Sequence, residues 1–448
     1  MSATPSVRLL AGAFALSSVS VFSASALAAQ GNIASTYGIL PSDVASAQAL
    51  SLFNTEVSAV YYNPAYLTAD PRGELTAGLL YADHDVTLDS LGGAAPLQRD
   101  GDNVPIDPSK QVLLGLKTNL SSITKSEHPL YFGLMLGVEK FGQQMLAFDS
   151  GTSTQGQYFQ YGRQPLFLAA GGATTLWRGI DAGLSLRVTL HANATLTSNS
   201  NLAGVTEYEN LSVSAKPVLK PIVGVNIDWG RTLCPESDCW LKNWETAFAY
   251  RAYSNTQTKV VANAVIPQTV PAPGLALAIN TLDAYQPNIY TLGMQYKGER
   301  FRAGVTAEMQ QWSKLEGEFA DDTIRDQANL EFKDIIIPRI GAEFRLNETL
   351  GLTAGLAYQP SALESDRSLD VNYLDNDRYI VGLGARAEIK DPWIFAYPVR
   401  LELGYQLHLL KDRQFQLTST QYNNGAPYET VETGGMVNVL VGSMTLKF

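Results

Sequence analysis

Apolar and polar side chains alternate along most of this chain. In VRLELGYQLHL, Val399, Leu401, Leu403, Tyr405, Leu407 and Leu409 fall on one face, and Arg400, Glu402, Gly404, Gln406 and His408 on the other. PRIGAEFRL sets Pro338, Ile340, Ala342, Phe344 and Leu346 against Arg339, Gly341, Glu343 and Arg345. FRAGVTAEM divides the same way, with Arg302, Gly304, Thr306 and Glu308 on its polar side. A period of two marks β-strands, because successive side chains point to opposite faces. Soluble sandwiches show it too. Here it recurs throughout, and the final VLVGSMTLKF carries it to Phe448. Phe448, Leu446, Met444, Gly442 and Leu440 share one face of that run, Lys447, Thr445, Ser443, Val441 and Val439 the other. Such a strand suits a barrel in lipid.

The pattern predicts strands over 73–88, 111–119, 130–140, 165–176, 180–196, 217–229, 244–259, 286–297, 300–313, 335–346, 349–359, 378–389, 397–410 and 434–448. That is fourteen, an even number, as in single-chain bacterial barrels. The turns at Trp177–Gly179, Lys297–Arg300 and Asn347–Leu350 are tight, whereas 89–110, 197–216, 260–285, 314–334, 360–377 and 411–433 are long. Short periplasmic turns and long outer loops account for the alternation, with both termini periplasmic. The expected fold is therefore all-β: a 14-stranded antiparallel transmembrane β-barrel over 73–448.

About eight strands already close on packed side chains, so fourteen leave a lumen that needs filling. The segment 29–72 precedes the first strand and is rich in Ala, Leu, Val and Tyr, unlike a polar periplasmic extension. SDVASAQALSLFN reads as a short helix, and Asn63-Pro64 in TEVSAVYYNPAYL as a turn. This segment is expected to plug the lumen as a hatch, with Phe53, Tyr62, Asn63, Pro64 and Ala65 as its candidate residues. Ahead of it, 1–28 has a basic start at Arg8, an apolar run and an Ala26-Leu27-Ala28 cleavage signature, so export and removal of a signal peptide are expected.

Composition agrees with that class. The chain has 37 Gly, 21 Tyr and 16 Phe, and only 17% charged residues. The net charge of −11 argues against nucleic-acid partners and polybasic docking. It fits a surface facing outer-membrane lipid and lipopolysaccharide. Cys234 and Cys239, the only cysteines, lie in CPESDC. In an exported chain this spacing predicts a disulfide, and a lone pair without a nearby His has too few ligands for a structural zinc.

Motifs for chemistry are missing: there is no G-x-S-x-G, H-E-x-x-H, P-loop or G-x-G-x-x-G, and the four His lie on separate segments. No enzyme, cofactor or metal site is expected. Three polar lumen candidates are Arg187, His191 and Arg339. The inward Glu343, Arg345, Arg386, Glu388, Arg400 and Glu402 serve either as a latch on the hatch or as a solvated wall of internal ion pairs. The loop VVANAVIPQTVPAPGLALAINTLDAY is apolar where it should meet the outside medium. Its Val265, Ile266, Leu275, Leu277, Ile279 and Leu282 are candidates for capturing an apolar ligand, against packing on neighbouring loops.

YYNPAYLTADPRGELTAGLLYADHDVTL and EFKDIIIPRIGAEFRLNETLGLTAGLAYQPSALESDRSLDVNYLDNDRYIVGLGARAEIKD resemble the Asn-Pro-Ala hatch and the late barrel of the FadL-type long-chain fatty acid transporters. That family also includes aromatic-hydrocarbon channels. The resemblance implies a monomeric barrel with a hatch and a kinked third strand that opens the wall sideways, here near Phe141 and Gly142. Fatty-acid members carry basic residues late in strand five to hold a carboxylate; here LRVTLHANATL departs from that pattern and leaves only Arg187 and His191 facing inward. The function expected is passive, ligand-gated transport of hydrophobic molecules across the outer membrane, foremost long-chain fatty acids, with lateral release. The alternatives are uptake of aromatic or alkane hydrocarbons and export of oxidised fatty acids. Besides these ligands and lipid, the barrel assembly machinery is the expected partner.

Overall fold

A computed structural model describes residues 32–93, 108–121, 123–140, 145–148, 157–160, 167–200, 206–235, 239–266, 270–320, 330–365, 367–369, 371–372, 375–418 and 426–448. Its frame is fourteen strands: β1 Glu74–Gly93, β2 Ser109–Asn119, β3 Leu130–Lys140, β4 Phe167–Trp177, β5 Ile180–Ser200, β6 Thr206–Asp228, β7 Trp244–Arg251, β8 Ile289–Lys297, β9 Phe301–Gln310, β10 Ile335–Arg345, β11 Leu350–Gln359, β12 Arg378–Ile389, β13 Val399–Thr418 and β14 Pro427–Lys447. Each pairs antiparallel with the next, and β14 pairs with β1 from Glu74↔Lys447 to Gly93↔Glu429. The sheet is closed. Among the described residues no helix is long and apolar enough to cross a membrane. In the closed sheet each strand's ladder is met by its neighbours, the condition a strand must satisfy to cross a bilayer.

Alternation sorts the two faces as the pattern requires. On β13, Leu401, Leu403, Tyr405 and Leu409 are exposed on the outside, while Arg400, Glu402, Gln406 and His408 are buried on the inside. Phe448 continues the outer face, and it exchanges two backbone hydrogen bonds with Gly73 (2.7 and 2.9 Å) where the barrel closes. Cys234 is bonded to Cys239 in the connection between β6 and β7.

Several segments expected as long outer loops are instead strand. β6 begins at Thr206 rather than 217, and β13 and β14 run on to Thr418 and back to Pro427. The span 260–285 departs most. The barrel strands break at Ala252-Tyr253 and Pro287-Asn288, and between the breaks Ser254–Ile266 pairs with Val270–Gln286 as a hairpin. Pro287 has no N–H to give to the ladder, a natural place for the break. The first hairpin strand also pairs in parallel with β5, from Thr258↔Ala192 to Val265↔Asn199. Among the described residues β4 pairs with β5 as far as Leu168↔Val188, and the hairpin takes the edge of β5 from Ala192 onward. An unpaired edge of backbone groups attracts such a partner.

Residues 32–72 lie inside the barrel and are nearly all buried. They form short turns of helix: Ile33–Thr36, Pro41–Ala45, Ala59–Tyr62 and the 3-10 segments Ser51–Phe53 and Pro64–Ala69. Asn32 caps the first by accepting from Ser35 N (3.0 Å), and Pro41 opens the second, where its missing N–H costs nothing. Ala47 and Gln48 then turn the chain sharply with φ of 48° and 62°, the left-handed region that non-glycine residues seldom occupy.

Candidate functional site

The hatch segment touches the wall in two chemically different ways. Towards β9–β14 the contact is ionic and hydrogen-bonded. Arg400 of β13 pairs with Glu56 of the hatch and lies 3.5 Å from Glu402 and 3.9 Å from Glu74. Arg302 of β9 donates to Phe53 O (3.0 Å) and to Glu343 (2.6 Å), which Arg386 also meets at 2.8 Å. Arg339 of β10 donates to Ala47 O (3.0 Å), and Gln406 to Val44 O (3.0 Å). Burial alone pushes the Glu56 carboxyl up, but the Arg400 guanidinium overcomes it and brings Glu56 down to about 2. Asp43 has no such cation beside it. Burial pushes its carboxyl up to about 6, against the hydrogen bonds from Asn54 and Ser51.

Towards β2–β6 the contact is apolar. Val57, Val60, Tyr61, Tyr62 and Leu67 pack on Leu113, Tyr131, Met135, Phe167 and Ile222. Asn63 holds this side in place by donating to Leu52 O (2.9 Å), and Pro64 starts the following turn. The fit is close: a Cβ on Gly183 of β5 would fall 2.4 Å from Ala65 N, so only glycine admits the Pro64-Ala65 backbone here. One polar node bridges the two sides. The Gln286 side-chain oxygen, at the base of the outer hairpin, accepts from Asn32 (2.8 Å), Tyr61 (2.7 Å) and Arg187 (2.5 Å). The hairpin base is thereby tied to both ends of the hatch's helical part.

The family model described as outer membrane protein transport protein (OMPP1/FadL/TodX) matches residues 240–448. Alkane uptake protein A of Marinobacter nauticus is 48% identical over 449 residues, which cover 99% of this chain and 97% of that protein. The chain belongs to the FadL-type family of outer-membrane transport proteins. Solved structures agree on the fold. A FadL homologue of Pseudomonas aeruginosa superposes with a TM-score of 0.63 at 13% identity, covering 94% of this chain and 99% of that one. The toluene transporter TodX of P. putida gives 0.50 at 14%, over 92% and 99%. The protein is thus an outer-membrane channel for hydrophobic compounds, not an enzyme.

Within this FadL-type channel, Phe53, Tyr62, Asn63, Pro64 and Ala65 all sit buried between hatch and wall. Phe53 meets Tyr66 edge to face with centroids 5.9 Å apart, and Tyr62 donates to Ala34 O (2.7 Å). Arg187 is buried and faces inward, where it donates to Gln286 and to Ser254 (3.2 Å) and lies over the Tyr61 and Phe167 rings. His191 pairs with Lys216 through the β5–β6 ladder, and its side chain lies outside the described residues. The same is true of the side chains of Val265, Ile266, Leu275, Leu277, Ile279 and Leu282, whose backbone forms the hairpin. Phe141 and Gly142 lie outside the described residues altogether. Of the six inward charges, Arg400 pairs with the Glu56 carboxylate of the hatch and Glu343 anchors Arg302, whereas Arg345 is exposed and Glu388 meets Arg72 at 3.9 Å. Arg251, Glu308 and Gln286 were not among the candidates. Their inward phase was legible, but their partners belong to distant parts of the chain.

Proposed function

We propose that this channel takes up long-chain alkanes by passive, ligand-gated diffusion and releases them sideways through the wall near β3. The observation that carries the reading is the apolar contact between the hatch and β2–β6, where Tyr61, Phe167 and Met135 are buried together and Tyr61 also donates to Gln286. An alkane has no group to satisfy, and it gains ~0.8 kcal/mol for each CH2 kept out of water. A route lined by rings and aliphatic side chains, ending in lipid, spares it any passage through water. The lumen cation best placed for a carboxylate, Arg187, is held by Gln286, Ser254 and two aromatic faces. The name of the 48% identical relative points the same way.

Long-chain fatty acids are the second reading, favoured by the same buried Arg187 should its ties to Gln286 open during transport. The two separate in cells lacking the gene and complemented with it. Complementation is expected to restore hexadecane uptake, with palmitate uptake little changed. Restored palmitate uptake with hexadecane unaffected would overturn the alkane reading and leave the fatty acid one. Placing the sideways exit near Phe141–Gly142 rests on the family resemblance alone. A reversible cysteine crosslink between the hatch near Pro64 and β3 near Gly142 is expected to block uptake when oxidised.

A further inference from the structure

Glu308 of β9 faces two guanidiniums. Arg251 of β7 meets it at 2.5 Å and Arg339 of β10 at 3.4 Å, and all three residues are at most 4% exposed. One carboxylate cannot neutralise two arginines, and an uncompensated buried charge is among the costliest features a fold can carry. The next acid on the hatch side, Asp43, directs its oxygens to Leu40 N, Ser51 and Asn54. Arg251 uses one amino group on Glu308 and Thr291 (3.3 Å), and its Nε and Nη1 have no protein acceptor. Arg339 uses Nη1 on Ala47 O, and its Nε has none either. Both side chains line a cavity of about 10 Å³ closed by Gln48, Ser51, Leu52 and Tyr62 of the hatch. A space of that size holds a single small particle, not an acyl chain or its headgroup with a chain attached.

We propose that this cavity is a halide site: a chloride-sized monatomic anion sits between Arg251 and Arg339 and supplies the missing negative charge. Guanidinium N–H groups bind anions by charge-assisted hydrogen bonds, and here they are preorganised by Glu308 and by the π faces of Tyr61 and Tyr62 (5.1 and 5.4 Å from the Arg251 carbon). The position gives the anion a consequence. Gln48 and Ser51 belong to the sharply turned stretch after Ala47, and Arg339 holds that turn through Ala47 O. An anion shared by hatch and wall therefore fastens the hatch shut, independently of which apolar cargo the channel carries.

The test uses the mature barrel in detergent, with chloride exchanged for bromide in one crystal and for gluconate in another. A bromide anomalous peak between Arg251 and Arg339 is expected. In solution, hydrogen exchange of the Gln48–Leu52 amides is expected to slow about tenfold for each tenfold of chloride above the dissociation constant, at constant ionic strength. Arg251→Gln should abolish that dependence. Glu308→Gln should strengthen binding, because it removes the competing carboxylate and keeps both arginines; a merely structural role for the cluster would not give this sign. If Arg251→Gln fails to fold, Arg251→Lys, with weakened halide dependence expected, replaces it. No bromide peak together with identical exchange in chloride and gluconate overturns the proposal. So does protection by acetate or formate that chloride cannot reproduce, which would assign the cavity to carboxylates.

Discussion

Replacing Arg400 with methionine should release the hatch while leaving the barrel closed. Arg400 is 3% exposed and is the cation paired with Glu56, and it also faces Glu402 and Glu74. Methionine approximates the length of the side chain but leaves Glu56, Glu402 and Glu74 without the guanidinium that faces all three. Breaking one partner out of a buried pair costs about 3–5 kcal/mol. Lys447 still reaches Glu74 at 3.7 Å, and Ser42 still donates to Glu56 (2.8 Å), which argues for the low end. The barrel ladder β12–β13–β14 does not depend on this contact. The cost therefore falls on hatch docking, and at about 1.4 kcal/mol per tenfold the undocked fraction should rise by roughly two powers of ten. Hydrogen exchange of the amides around Glu56–Ala59, read beside heat modifiability of the barrel, measures both halves of the claim. Adding Glu56→Gln to the variant should recover part of the loss, since it removes one stranded charge. Exchange within about threefold of wild type in the single variant, or a double variant worse than the single, would refute the reasoning.

Gly355→Ala should loosen the hatch through sterics alone, because a Cβ there would fall 2.0 Å from Ser46 O; faster exchange around Ser46 with unchanged heat modifiability is the expected reading. Docking should also strengthen on acidification. Asp43 is held at about 6 when buried and returns to 3.8 when free, so its contribution is fully present below about 3.8 and is lost as the pH rises through about 6. Open-channel conductance is expected to fall between about pH 7 and about pH 5, and Asp43→Asn should flatten that response. Glu56, held down at about 2, loses its contribution as the pH falls from about 4.5 to about 2, below the window in which Asp43 acts, and so does not oppose the effect there. Deleting Phe448 should reduce folded, heat-modifiable protein in the outer membrane, because it removes both closing hydrogen bonds to Gly73 and an aromatic that meets Tyr397 at 6.2 Å. Normal folded levels would count against that role.

The fourteen barrel strands, and the facing of the side chains along their cores, were legible in the sequence alone. Alternation is a local property, set by the two-residue pleat, and it placed Arg400, Glu402, Arg339 and Glu343 on the inside and Leu403 and Phe448 on the outside without any knowledge of their neighbours. The composition of 29–72 likewise pointed to burial. What those inward groups meet was not decided there. Glu56 and Arg400 are 344 positions apart, and Asn32 and Gln286 are 254 apart, so their pairing depends on how the hatch winds through a closed cylinder. The apolar 260–285 span read as a loop because its Pro and Gly residues interrupt the period, yet it pairs with itself as a hairpin and with the edge of β5 from Ala192 to Asn199. Which stretch of a strand keeps an edge for such a partner depends on how far its neighbours extend, and that is settled only in the tertiary structure. Whether Glu343 and Arg345, two residues apart on one face, would each form an ion pair was equally beyond the pattern: Arg302 and Arg386 converge on Glu343 across neighbouring strands, while Arg345 stands at the strand's end in solvent. Period dictates which way a side chain points; only tertiary structure brings the partner to it.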